Sequence, residues 1–274
     1  MNEPIVRTTL PAASDEIRTE SKKRFELTSS QLKLIALVSM VIDHIGRVLC
    51  QPWLMEHTAD AGTAYEAVTR LNDFLRTLGR LAYPLFIFLM IEGFVYTRDR
   101  KKYALRLACF AVIAEIPFDL AMSDTWWYMG YQNVLITLLF GFIGMYLIEV
   151  LREHVHERWL YTLGLLAVMG GLAYLGYVSD CDYGEFGVLA MLCGYLQRFS
   201  AGKLYKKHPY EVEMAIIAFI LFLGNFTETL AFLAIIPVHY YNGEKGTSRF
   251  GKYFFYLFYP AHLLVLYGIR LLLY

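Results

Sequence analysis

The stretch Gln31–Cys50, QLKLIALVSMVIDHIGRVLC, decides the fold. As a helix it is long enough to cross the roughly 30 Å hydrocarbon core of a bilayer, and yet it carries Lys33, Asp43, His44 and Arg47. At about 100° per residue, the steps from Lys33 to His44 close almost three full turns. Both side chains therefore share one stripe with Leu37 and Met40, about 16 Å apart along the axis. Ionisable groups at such depth face a bundle interior or a wet cavity. The stretch reads as the first span of a helical membrane bundle with a working polar site inside it. The structural alternative is an imperfect span in which Asp43 and Arg47 pair at i,i+4 spacing beside an incidental histidine.

Composition supports a membrane protein. Of the 274 residues 57% are hydrophobic, with 21 Tyr and 19 Phe, and the mean hydropathy is +0.41, well beyond the about 45–50% apolar share of soluble domains. Basic and acidic residues balance at 25 each, so no global field points to nucleic acid. Cys50, Cys109, Cys181 and Cys193 lack CxxC spacing and read as small core residues; neither a metal site nor a disulfide framework is expected. The first 25 residues show no apolar core followed by a cleavage site.

Residues 1–26 are polar, with Arg18, Lys22, Lys23 and Arg24 near their end, and are expected to form a disordered cytoplasmic segment. Residues 27–274 form the membrane domain. After the first span, 51–77 is a mixed connector with an amphipathic piece. Further spans are expected near 78–96, 103–122, 131–150, 159–178, 184–198, 211–224, 228–241 and 253–273, about nine in all within a range of eight to ten. Several are shorter than the about 20 residues a perpendicular span needs, so the pieces between 184 and 241 are expected to tilt, bend or re-enter. The N-terminal side and alternate connectors together hold 19 of the 25 Lys and Arg, which places the N-terminus in the cytoplasm by the positive-inside rule. Lys33 then stands at the cytoplasmic mouth and His44 toward the outer half. Phosphate loops and nucleophile elbows are missing, so the intramembrane polar residues carry any chemistry.

Those residues are few. Arg80 and Glu92 lie twelve positions apart in LGRLAYPLFIFLMIEGF, too far to pair on a straight helix, so each needs a partner on another element. Glu115 and Asp119 flank Pro117 in AEIPFDL, and Asn133 enters the fourth span in GYQNVLITLL. Asp180, Asp182 and Glu185 gather in SDCDYGEF, as acceptor contacts, a solvated loop or oxygen ligands outside the EF-hand pattern. His262 follows Pro260 in the last span, as a hydrogen-bonded bundle histidine or a site residue.

Several segments together carry a resemblance: LKLIALVSMVIDHIGRVL, LGRLAYPLFIFLMIEGFVYT, YALRLACFAVIAEIPFDL, QNVLITLLFG, DYGEFGVL, YYNGEKG and FYLFYPAHLLVL. In this order, over about Leu32 to Leu273, they resemble the TraX family of membrane proteins, known for acetylating the N-terminus of conjugative F-type pilin. Lys33, ten residues and His44 also look like the basic-residue, spacer and His signature of acyltransferase-3 membrane enzymes. The resemblance implies an enzyme of the cytoplasmic (inner) membrane in which acetyl-CoA approaches from the cytoplasm and a pilin-like or other exported acceptor from the opposite side. Under it Lys33 and neighbouring basic residues hold CoA phosphates, and His44 deprotonates the acceptor or carries the acetyl group transiently. Asp43 pairs with Arg47 or contacts the acceptor; Glu92 or Asp119 orients the imidazole; Arg80 or Asn133 contacts the acyl-CoA or its developing oxyanion. The competing expectations are a proton-coupled transporter and a noncatalytic subunit of pilus or secretion assembly.

Overall fold

The computed structural model describes residues 25–58, 62–199, 207–247 and 254–273. The polar segment 1–24 and the basic residues Lys203, Lys206, Arg249 and Lys252 lie outside them. Helices make up nearly all of what is described, and the strand-like pairings are isolated bridges, Leu27 with Tyr241 and Gln132 with Cys181.

The opening segment runs as α1 (Ser29–Ile45), a π-helical turn (Gly46–Cys50) and a short α2 (Gln51–Glu56). Pro52 explains the irregular turn. It has no N–H to give the carbonyl four residues back, so regular α bonding cannot continue through it; instead the Gln51 N–H reaches the Gly46 carbonyl, five residues back. The wide turn begins at Gly46, two residues after His44. At the other end of α1, Thr28 and Gln31 form a capping box. The N–H groups of Ser29 and Ser30 bond the carbonyls of Glu244 and Lys245, so the YNGEKG loop closes over the helix start.

The region 51–77, expected as a mixed connector, is mostly helical. α3 (Thr63–Gly79) continues through a break at Arg80–Leu81 into α4 (Ala82–Tyr96). Pro84 accounts for the break, since its missing N–H is the one that would bond Arg80. α3 and α4 run back along α1, and the Ser39 hydroxyl donates to the Leu78 carbonyl at 2.6 Å.

The rest of the bundle is α5 (Arg100–Ser123), α6 (Val134–His154), α7 (Arg158–Val178), α8 (Gly184–Arg198), α9 (Pro209–Gly224), a 3-10 segment (Phe226–Ala234) leading into the five-residue α10 (Ile235–His239), and α11 (Phe254–Leu273). Among the described residues Thr63–Tyr96, Val134–His154, Arg158–Val178 and Phe254–Leu273 are long and apolar enough to cross a membrane. The stretch 228–241, expected as a span, is instead a 3-10 segment with a single further turn, packed on α9. α6, α7 and α8 pack together, α9 lies against α8, and α11 lies against α5. Phe94 of α4 meets Phe142 of α6 and Tyr195 of α8 edge to face, with centroids 5.1 and 5.4 Å apart. Between helices already surrounded by lipid, such packing supplies the association that a hydrophobic drive supplies in water.

Candidate functional site

His44, near the C-terminal end of α1, meets His262 of α11: Nδ1 of His44 lies 2.6 Å from Nε2 of His262. Nδ1 of His262 in turn lies 2.9 Å from the Phe258 carbonyl oxygen. A carbonyl oxygen only accepts, so Nδ1 of His262 carries a hydrogen and, in the neutral ring, Nε2 keeps the lone pair. Nδ1 of His44 must then donate to it, which leaves the lone pair of His44 on Nε2. That atom has no hydrogen bond among the described residues. The chain Phe258–His262–His44 thus fixes the tautomer of a potential base in the way a second-sphere partner does in other histidine sites. Tyr259 flanks both rings, with centroids 6.3 Å from His44 and 5.7 Å from His262.

A cluster of charged and polar groups surrounds this pair. Asp43 accepts from Arg76 of α3 at 2.5 Å, which corrects the expected pairing with Arg47. The reason is position: Arg76 stands across the α1–α3 contact, directly against the carboxylate. Gly79 makes that contact close, since a Cβ there would collide with the Asp43 side chain. Arg47 forms no ion pair among the described residues and lies within electrostatic range of Asp43, His44 and Asp182. Arg80, placed at the α3–α4 break, forms a buried ion pair with Glu228 of the 3-10 segment.

The connector 179–183 completes the cluster. The Gln132 carbonyl accepts from the Asp182 N–H, and the Gln132 N–H bonds the Asp180 carbonyl, joining the α5–α6 and α7–α8 connectors. This brings the Tyr131 hydroxyl to 2.7 Å from the Asp182 carboxylate and the Thr137 hydroxyl onto its backbone carbonyl. Tyr183 has a left-handed φ of 64°, an unusual conformation for an aromatic residue, and its ring stacks on Tyr83 at 3.7 Å.

Of the residues singled out in the sequence, Asp43, His44, Arg47, Arg80, Asp182 and His262 converge here. The others go elsewhere. Glu92 does not orient the imidazole: it is bound at the far end of α4 by Arg198 at 2.6 Å and by the Tyr241 hydroxyl at 3.0 Å. Asp119 accepts the Tyr128 N–H at 2.7 Å. Asn133 caps α6, accepting from Leu135 N–H and donating to the Ala111 carbonyl and to Glu115. Glu185 lies in the first turn of α8, where its charge complements the helix dipole. Lys33 stands near the N-terminal end of α1, with its ammonium 5.5 Å from the Phe255 ring centre and close to Lys245. Among the described residues no three His, Cys, Asp or Glu side chains group as metal ligands.

Arg76, Tyr131 and Glu228 were not singled out, because each reads alone as a connector or helix-end residue. The signal for Arg76 was its place four residues before Arg80, on one face of an amphipathic helix.

A match to the TraX protein family covers residues 28–270. Over 272 residues the chain is 26% identical to a Dichelobacter nodosus protein named "Probable fimbrial assembly protein FimC, serogroup H1", with 92% of this chain and 99% of that relative covered. No solved structure matches the chain.

Proposed function

The chain belongs to the TraX family, and from that membership we propose that it is a membrane-embedded acetyltransferase, moving an acetyl group from cytoplasmic acetyl-CoA to the N-terminal amine of an exported pilin-like protein. The observation that carries the reading is the lone pair left on Nε2 of His44 by the His262 and Phe258 hydrogen bonds. A neutral imidazole with its second nitrogen occupied by a fixed acceptor is built to take a proton. The fimbrial assembly name of the relative supports a pilus-related setting.

The chemistry follows from the geometry. The acceptor amine attacks the thioester carbonyl carbon, the C–S bond breaks, and CoA leaves as a thiolate that takes up a proton. The proton lost by the amine goes to His44 Nε2, and the positive charge formed there is shared through Nδ1 with His262. Arg80 and Asn133 are engaged with Glu228 and with Glu115 and Ala111, whereas Arg47, which forms no ion pair among the described residues, would face a developing oxyanion. Lys33, with Lys245 beside it at the other end of α1, would meet the CoA phosphates. The two ends of one helix then serve a cosubstrate from the cytoplasm and an acceptor from outside.

A noncatalytic assembly subunit is the second reading, favoured by the relative's name. Purified protein in nanodiscs with radiolabelled acetyl-CoA and a peptide amine separates the two. Acetyl transfer that is lost in His44→Ala, with CoA binding retained, is the expected result. A protein that neither binds acetyl-CoA nor releases CoA, while His44→Ala still supports pilus assembly in cells, would establish the assembly role instead.

A further inference from the structure

The first three residues of α5 are Arg100, Lys101 and Lys102, and its opening turn holds no acidic residue. Cations are out of place there, because the N-terminal end of a helix already carries partial positive charge. Two carboxylates offset part of it. Asp99 caps the helix and pairs with Lys102 at 3.1 Å, while Glu149 of α6 is shared by Arg100 at 3.6 Å and Arg152 at 3.2 Å. Lys101 forms no ion pair among the described residues, so the four cations of this corner have two carboxylate partners between them. Beside them a groove of about 250 Å³ opens between α5 and α6, lined by Arg100, Lys101, Ala104, Phe142, Ile143 and Tyr146. Its basic end adjoins the connector before α5, which the positive-inside rule sets on the cytoplasmic side. Its other end runs toward the hydrocarbon: Leu105 and Val112, four and eleven positions beyond Lys101, keep to the same helix face and are exposed.

We infer that this groove is a binding site for an anionic phospholipid of the cytoplasmic leaflet, with its phosphate between Lys101 and Arg100 and one acyl chain along Ala104, Phe142 and Ile143. The inference goes beyond the acetyltransferase reading and does not depend on it. The unpaired cation and the helix N-terminus both favour an anion at the same spot, and basic pockets between membrane helices on the cytoplasmic side hold anionic headgroups. A zwitterionic headgroup brings a further cation to a corner already rich in them, so it binds more weakly. A soluble phosphate would meet the cations but gain nothing from the apolar floor. Arg100 is presented in a fixed place, since its guanidinium lies 4.2 Å from the centre of the Phe94 ring of α4. A lipid seated there therefore ties the cytoplasmic ends of α4, α5 and α6 together.

The test measures lipid binding to the full chain by native mass spectrometry from detergent micelles, with dioleoyl phosphatidylglycerol and dioleoyl phosphatidylcholine as probes. Wild type is expected to hold phosphatidylglycerol about tenfold more tightly than phosphatidylcholine. Lys101→Gln, which breaks no ion pair among the described residues, is expected to weaken phosphatidylglycerol about fivefold and to leave phosphatidylcholine unchanged. Arg70→Gln, which removes an exposed cation from α3, should alter neither. Ala104→Phe fills the groove and should weaken phosphatidylglycerol at least as much as Lys101→Gln does, with thermal unfolding confirming that the variant is folded. Glycerol phosphate and acetyl-CoA, which offer phosphate without acyl chains, should not displace the lipid. Equal binding of the two lipids, unchanged affinity in Lys101→Gln or Ala104→Phe, or an equal loss in Arg70→Gln would overturn the site. Displacement by glycerol phosphate or acetyl-CoA would also overturn it and assign these cations to a soluble phosphate ester.

Discussion

Replacing Arg198 with alanine should cost the bundle more than any change at the candidate site. Arg198, at the end of α8, holds both oxygens of Glu213 on α9 at 2.7 Å and one oxygen of Glu92 on α4 at 2.6 Å. The three side chains are 4%, 0% and 5% exposed, and the guanidinium also lies over the Phe88 ring at 5.6 Å. Removing the cation leaves two carboxylates facing each other without water. Breaking a buried pair on one side costs about 3–5 kcal/mol, which for a chain of this size corresponds to a fall in Tm of about 6–20 °C. The assay is thermal unfolding in detergent with a thiol-reactive dye, since Cys50 and Cys181 are buried in the folded bundle and become reactive as it opens. Arg198→Lys keeps the charge but not the planar fork that spans both acids, so an intermediate fall is expected. Because Tyr241 donates to Glu92 and begins the loop that closes over the start of α1, Arg198→Ala should also weaken acetyl-CoA binding. A Tm within about 3 °C of wild type for Arg198→Ala, below the range derived from burial, would refute the reasoning.

Three further outcomes are expected. His262→Ala should lower kcat for acetyl transfer by about 10²–10⁴ with little change in KM for acetyl-CoA, while His262→Gln, whose amide oxygen can accept from His44 Nδ1, should recover part of it; equal loss in both variants would argue against a tautomer role. Gly79→Ala forces a methyl into Asp43 and should destabilise by about 1–3 kcal/mol, read by the same thermal assay, whereas an unchanged Tm would mean that α1 and α3 can separate freely. Cysteines placed at Lys101 and at Trp127, in vesicles of known orientation, should be labelled from the cytoplasmic and the opposite side respectively; labelling of both from one side would break the proposed topology.

Much of the site was legible before any fold was known, and the reason is local geometry. One helix fixes the relative azimuth of residues it contains, so the shared face of Lys33 and His44 followed from spacing, as did the need of Arg80 and Glu92 for partners elsewhere. Alternating clusters of Lys and Arg marked the connectors, and the apolar runs marked the helices. What spacing cannot supply is the identity of a partner far away in the chain. His262 lies 218 residues from His44, Glu228 lies 148 from Arg80, and Arg198 lies 106 from Glu92. Nothing local to either member of these pairs selects the other. Local rules also misled at Asp43: i,i+4 spacing suggested a pair with Arg47, but Arg76, 33 residues further on, takes the carboxylate. The sequence by itself therefore determined an all-helical membrane protein with His44 and Lys33 on one face of its first helix. Only the tertiary structure decided which tautomer His44 holds and which charges surround it, because both depend on groups brought together by packing rather than by succession along the chain.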